Sequence, residues 1–370
     1  MPDVNGTVPG AALEIGPKLD AASGEVTFVA EAAHGAVPAR VWLAMRDFGV
    51  DTHFVAVAAE ESPHWLVRIP RPPVDRFEYL LTWRHADGHE GTSPDPGNPV
   101  RAQGVFGDHS VLTFPEYREP QWCRARDTTD VMGFVEKVGS LDSASGVAVA
   151  GEMWAPLGSD SAEPLPLLVA NDGREYAQFG DLIGFAGWVG RTYPALRCRL
   201  LLLDPVDRDR SYSASPAYGR TLARRLLPEL RSRFATVGAP VGMGASLGAV
   251  AMLQAAIDHP GVFGGVFLQS GSFFTDAFDS HESGFRFYQR LVRFTSTLDA
   301  QPERYDGLAV VMTCGTGEEN LDNNRTAASR MAAVGVAVTL RENRDAHNFI
   351  AWRDCWDPHL SELLSRMWNG

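Results

Sequence analysis

The stretch VGMGASLGAV, residues 241–250, decides how this chain is read. One hydroxyl, Ser246, stands among Gly242, Gly244, Gly248 and small apolar residues. The glycines could cradle a dinucleotide phosphate, or they could clear space for a sharp turn that presents a nucleophilic serine. Context disfavours the first reading. The glycines lie roughly a hundred residues into the α/β region, whereas a dinucleotide fingerprint opens its first βα unit. The next strand, GGVFLQSG, ends without the acidic residue that would hold a ribose, and no lysine is near to complete a P-loop. The second reading fits in full. Gly244-Ala245-Ser246-Leu247-Gly248 is G-x-S-x-G, between a short strand (APVGMG) and an apolar helix (LGAVAMLQAAIDHP). That is the nucleophile elbow, whose flanking positions must be small because strand and helix backbones crowd there.

A serine hydroxyl is a poor nucleophile without a base, and the base needs an acid to fix its tautomer. In this arrangement the chain order is serine, acid, histidine. His259, His281, His347 and His359 follow Ser246. His259 ends the helix after the elbow and reads as a partner of that helix's C-terminal dipole. His281 falls in a polar loop, and His359 opens the last helix. His347 lies in ENRDAHNFIAWRDCW, directly after the last strand, where it can reach the carboxyl edge of a sheet. The acid should follow the strand LAVVMTC, in GTGEENLDNNR, which offers Glu318, Glu319 and Asp322.

Composition narrows the classes. The 370 residues are 45% hydrophobic and 21% charged, with a net charge of -13. That composition supplies a full core, and its acidity disfavours nucleic acid and anionic membranes as partners. The basic run YGRTLARRLLPELRSRF (218–234) interleaves leucines with arginines, the pattern of a surface helix with a solvated face. No stretch approaches the roughly 20 apolar residues of a membrane span. Residues 1–16 show no secretory pattern, so a cytoplasmic protein is expected. Cys123, Cys198, Cys314 and Cys355 are scattered, without C-x-x-C or H-E-x-x-H, so neither a disulfide framework nor a zinc site is expected. No metal or other cofactor is expected.

Two textures follow one another along the chain. GEVTFVAEAA, ARVWLAMRDF, THFVAVAAE, HWLVRIPRP and RFEYLLTWRHADG read as short strands of a β-sandwich. HADGHEGTSPDPGNPV (85–100) reads as turns without a regular element, with His85 and His89 solvated. From about residue 146, apolar strands alternate with amphipathic helices, the pattern of a mostly parallel sheet covered on both faces. The expected layout is a sandwich over residues 1–125, a linker over 126–145 and a catalytic α/β domain over 146–370.

GMGASLGAVAMLQAAIDHPGVFGGVFLQSGSFF resembles the elbow region of the enterochelin (ferric enterobactin) esterases and the wider Putative esterase family, which includes the mycolyltransferases. PLLVANDGREYAQ, RSYSASPAYGRTLARRLLPEL and HNFIAWRD resemble three further family segments. SPDPGNP and FGDHSVLTFPEY resemble the early-set, immunoglobulin-like sandwich that precedes the hydrolase in enterochelin esterases. The resemblance spans roughly residues 30–370. It implies an α/β-hydrolase with a mostly parallel central sheet behind that sandwich. It implies Ser246 as nucleophile, His347 as base, and Glu318 as acid with Glu319 as the alternative. The backbone N–H groups of Leu247 and of Gly173 or Arg174 would hold the oxyanion, and Arg210 an anionic substrate oxygen. Two departures touch the pocket: Ala346 precedes His347 where the family usually has glycine, and ANDG replaces a form with a bulky residue before Asp-Gly.

The expected function is therefore hydrolysis of a small-molecule carboxylic ester, a siderophore trilactone in particular. An acyl or carbohydrate esterase or acyltransferase, and a noncatalytic binding protein on the same fold, are the competing readings. Fold resemblance does not choose among substrates.

Overall fold

A computed structural model describes residues 14–20, 22–31, 38–44, 52–57, 64–142 and 145–369. The chain divides into two compact units, Met1–Tyr117 and Arg118–Gly370. The break falls ahead of the expected boundary at residue 125.

In the first unit, β1 (Gly16–Asp20), β2 (Glu25–Glu31), β4 (Val55–Val57) and β5 (His64–Pro70) form one antiparallel sheet. β3 (Arg40–Ala44), β6 (Arg76–Arg84), β7 (Glu90–Ser93), β8 (Arg101–Ala102) and β9 (His109–Thr113) form the other. Alternate residues of β2 and β5 face inward and meet those of β3 and β6. Phe28 packs edge-on against Tyr79, with ring centroids 5.0 Å apart. The later parts of ARVWLAMRDF and THFVAVAAE lie outside the described residues. One expectation fails here. Residues 85–100 are not all turn, because β7 returns onto β6. Gly88, at φ +88°, makes the tight reversal. Thr82 and Thr92 then meet across the pair at 3.1 Å.

The second unit holds an eight-stranded sheet in the order β10-β11-β13-β12-β14-β15-β16-β17. Its strands are β10 (Gly133–Asp142), β11 (Val147–Pro156), β12 (Leu167–Ala170), β13 (Arg199–Pro205), β14 (Val241–Ala245), β15 (Gly265–Gln269), β16 (Ala309–Gly315) and β17 (Val338–Asn343). β11 runs antiparallel to both its neighbours, the edge strand β10 and β13, and the pairs from β13 to β17 are parallel. The expected linker is thus largely the edge strand β10. Its side chains are mostly exposed, so it lacks the inward apolar run that marks the central strands.

Continuous apolar strands bury both faces. Val169, Leu201, Val266 and Met312 face one helical layer, while Leu168, Leu200, Phe267 and Ala309 face the other. α1 (Gln121–Ala125), α2 (Gly173–Phe179) and α3 (Leu182–Thr192) belong to the second layer, with α10 (Phe349–Asp354) and α11 (Ser361–Trp368). α4 (Arg208–Tyr212), α5 (Pro216–Thr221), α6 (Leu227–Arg233), α7 (Leu247–Asp258), α8 (Tyr288–Ser296) and α9 (Leu321–Ala333) belong to the first. α5 and α6 carry the arginine run, joined by a wider turn at Leu222–Leu226 ahead of Pro228. α7 is buried from Leu247 to Ile257, which is why its sequence is apolar all round. Among the described residues no helix is long and apolar enough to cross a membrane.

Candidate active site

The ladders of the central strands run one residue into each turn. Asn171 N–H donates to the Met243 carbonyl at 2.9 Å, Ser246 N–H to Gln269 at 2.9 Å, and Ser270 N–H to Thr313 at 2.7 Å. Three chain reversals thereby lie side by side at the carboxyl edge, the usual ligand side of such sheets.

Ser246 caps α7 with φ 55° and ψ −125°, a conformation that costs a side-chain-bearing residue about 1–3 kcal/mol. The crowding around it accounts for the glycines. A Cβ on Gly242 would meet the Met252 sulfur at 2.3 Å, and one on Gly244 the Gly248 carbonyl oxygen at 2.5 Å. The Ser246 hydroxyl lies 3.1 Å from that of Ser272. Leu247 begins a helix of twelve residues, and its N–H is among those with no partner inside that helix.

The loop after β16 is stitched to the loop after β17: Thr316 N–H donates to Asn343 at 2.7 Å and Gly317 N–H to Asp345 at 3.1 Å. This brings Glu318 Oε2 to 2.8 Å from His347 Nδ1. The Glu318 side chain is 1% exposed and that of His347 is 32% exposed, so the carboxylate is enclosed while the imidazole reaches the surface. Asn320 Nδ2 lies 3.5 Å from the same ring nitrogen. Glu319 points elsewhere, to 3.5 Å from His281 in an exposed pairing. Asp322 pairs with Arg325 at 3.1 Å.

At the end of β12, Asp172 takes φ 50° as the cap of α2. Its N–H donates to the Tyr212 hydroxyl at 3.2 Å, and its carboxylate accepts from Arg208 Nε and Nη2 at 2.8 and 2.7 Å. Asn171 Nδ2 donates to the Gly248 carbonyl at 2.8 Å, which ties this turn to the first turn of α7. Gly173 packs so close to β13 that a Cβ would lie 2.3 Å from Leu202 Cα. The Arg174 side chain leaves the turn to pair with Asp204 at 2.8 Å. Arg210 donates to the Ser145 carbonyl at 3.3 Å, and its own carbonyl accepts from Arg290 at 2.8 Å.

Sequence reasoning passed over Arg208, the arginine that holds Asp172, together with Ser270, Ser272 and Trp352. The QSGS and HNFIAWRD segments carried the last three, but only as marks of resemblance. His259 caps the C-terminal end of α7 as expected, and burial, then the neighbouring Arg224, lower its pKa. His359 lies in the turn Trp356–Leu360 just before α11, its pKa also lowered by burial.

The family profile described as "Putative esterase" matches residues 153–363, more than half of the chain. The chain belongs to this family. As a member of the Putative esterase family it is a carboxylic ester hydrolase of the α/β-hydrolase fold. It is 24% identical over 311 residues to the iron(III) enterobactin esterase of Escherichia coli O6:H1 (strain CFT073), covering 78% of this chain and 72% of that one. The ferric enterobactin esterase of Salmonella typhimurium superposes with a TM-score of 0.73 at 19% identity, over 96% of each chain. The Shigella flexneri enterobactin esterase, solved in the presence of enterobactin, gives 0.71 at 18% identity, again over 96% of each.

Proposed function

We propose that this family member is a serine esterase in which Ser246 attacks the ester carbonyl, His347 takes its proton and Glu318 steadies the imidazolium that forms. The observation that carries the reading is the enclosed Glu318 carboxylate 2.8 Å from His347 Nδ1, on the sheet edge where Ser246 caps α7 in a strained turn. A carboxylate at Nδ1 holds the proton there and leaves the Nε2 lone pair as the base. The Leu247 N–H is one oxyanion donor. The second comes from Gly173 or Arg174, since the Asp172 N–H is already committed to Tyr212. Each such donor is worth about 10²–10³ in rate. Water then releases the acyl group from Ser246.

We infer a siderophore trilactone as substrate, because the solved relatives that match over 96% of this chain, and the E. coli relative that matches over 78% of it, are named for enterobactin. Arg210, exposed on α4, is assigned to an anionic oxygen of that substrate. The four cysteines are unpaired, which suits a reducing, cytoplasmic setting.

The test compares p-nitrophenyl esters of several acyl lengths with an iron-loaded trilactone siderophore followed by mass spectrometry, using wild type and Ser246→Ala. Serine-dependent cleavage of the siderophore far above the simple esters supports the full reading. Serine-dependent cleavage of simple esters alone keeps the triad and discards the trilactone. Turnover that survives Ser246→Ala rejects the nucleophile.

A further inference from the structure

We propose that Ser270 and Trp352 are positioning residues for the reaction: the Ser270 hydroxyl relays a hydrogen bond from the Trp352 indole to Glu318 and so fixes the carboxylate that orients His347. The inference rests on the Ser246–His347–Glu318 reading above.

The contacts set the direction of the relay. Trp352 Nε1 lies 2.9 Å from Ser270 Oγ, and Ser270 Oγ lies 2.7 Å from Glu318 Oε1. An indole N–H can only donate, so Ser270 accepts from it, and the single hydroxyl proton is left for the carboxylate. Glu318 Oε1 receives a second bond from the Gly315 N–H at 2.8 Å, while Oε2 faces His347. One oxygen is thus clamped from two sides and the other turned to the imidazole. Trp352 holds the far member as well, its ring edge-on to His347 with centroids 5.0 Å apart. The same residue therefore touches the histidine directly and the glutamate through one hydroxyl. Asn320 closes the group, donating to the Ser270 carbonyl at 3.2 Å.

Ser270 occupies this place at a cost. It is fully buried and has φ 48°, a conformation that glycine takes freely and serine does not. A glycine there would relieve the backbone and delete the hydroxyl. That opposition makes the role testable.

The titratable groups facing the pair from neighbouring elements include the Cys314 thiol on β16, the Cys355 thiol after α10 and Asp345 ahead of His347. Burial pushes both thiols up, and nearby carboxylates add to this: Glu318 at Cys314, and Asp354, then Asp345, at Cys355. A donor to the ionised carboxylate favours that form, so its removal lets the Glu318–His347 pair take up its proton at higher pH.

The experiment uses the full chain with Ser270→Ala, Ser270→Gly, Trp352→Phe and the Ser270→Ala/Trp352→Phe pair. For Ser270→Ala, kcat should fall about tenfold to a hundredfold, the size of one charge-assisted hydrogen bond, with KM within about twofold. Ser270→Gly should lose as much activity as Ser270→Ala. Trp352→Phe should lose less, and the double variant no more than Ser270→Ala, because both break one relay. Histidine NMR titration, which needs no substrate, should show the His347 resonance moving at higher pH in Ser270→Ala than in wild type. Wild-type kcat in Ser270→Ala, recovery in Ser270→Gly, additive losses in the double variant, or an unshifted His347 titration would each overturn the relay. Ser246→Ala run in parallel separates the two ideas. If it stays active, the serine mechanism falls while the NMR titration still decides the relay.

Discussion

The two edges of the large sheet handle left-handed backbone in opposite ways. On the amino edge, the chain turns into β14, β15, β16 and β17 through Gly238, Gly261, Gly307 and Gly335, with φ between +68° and +84°. Nothing lies within 4 Å of where their Cβ atoms would be. On the carboxyl edge, β12, β14 and β15 end in Asp172, Ser246 and Ser270, with φ of 50°, 55° and 48°. A positive φ is taken by glycine where only a turn is wanted. It is taken by a side-chain-bearing residue where a hydroxyl or carboxylate must be delivered. Of these strand-end positions, those on the carboxyl edge alone carry strain of about 1–3 kcal/mol per site, while Asp181 and Ala214 take a positive φ away from the strand ends.

The sharpest way to break this contrast is Ser246 itself. Ser246→Ala should lower ester hydrolysis by about 10⁴-fold or more, with circular dichroism and unfolding midpoint unchanged. Ser246→Gly should be equally inactive yet raise stability by about 1 kcal/mol. A glycine variant no more stable than wild type would show that the elbow stores no strain. Glu318→Gln comes next. It keeps the shape but can no longer hold the right imidazole tautomer, so kcat should drop by about 10²–10⁴-fold. Asp172→Asn removes the carboxylate that Arg208 grips with two bonds, in a side chain pairing that is partly open to solvent. The α2 cap should loosen and kcat/KM fall about tenfold, measured on the preferred ester. The smallest effect belongs to the other edge. Gly307→Ala should cost about 1 kcal/mol in denaturant unfolding and leave kcat/KM at the wild-type value. Activity loss there would mean that the two edges are not independent.

Legibility in the sequence follows the same division. The elbow could be read because crowding by Met252 and Gly248 forces small residues into a fixed spacing around one serine. His347 could be read because it directly follows the last strand. The residues alone offer Glu318, Glu319 and Asp322, and the resemblance favours Glu318 over Glu319; in the structure Glu318 lies against His347 while Glu319 turns to His281. Adjacent loop side chains diverge, and no local pattern says which one faces the sheet. Asp172 and Ser270 are each followed by a single glycine, Gly173 and Gly271, without the spaced pair of small residues that marks the elbow. Their left-handed turns stayed hidden although their segments were recognised. β10 reads as a linker because an exposed edge strand has little inward apolar periodicity. α8 was passed over although Tyr288, Leu291 and Phe294 recur at helical spacing on its buried face. It is short, and it follows a run of turns from residue 271 that reads as loop.

The unpaired thiols carry a consequence for how this molecule can be watched. Cys198 opens the approach to β13, Cys314 lies on β16 beneath Glu318, and Cys355 follows α10; all three are buried. Burial raises each thiol, to about 12 for Cys198, so a closed chain offers almost no thiolate to an alkylating reagent. Modification must then wait for local opening. The labelling rate at each cysteine becomes a clock for its own part of the sheet. Cys314 and Cys355 time the breathing of the carboxyl edge, and Cys198 times that of the opposite end.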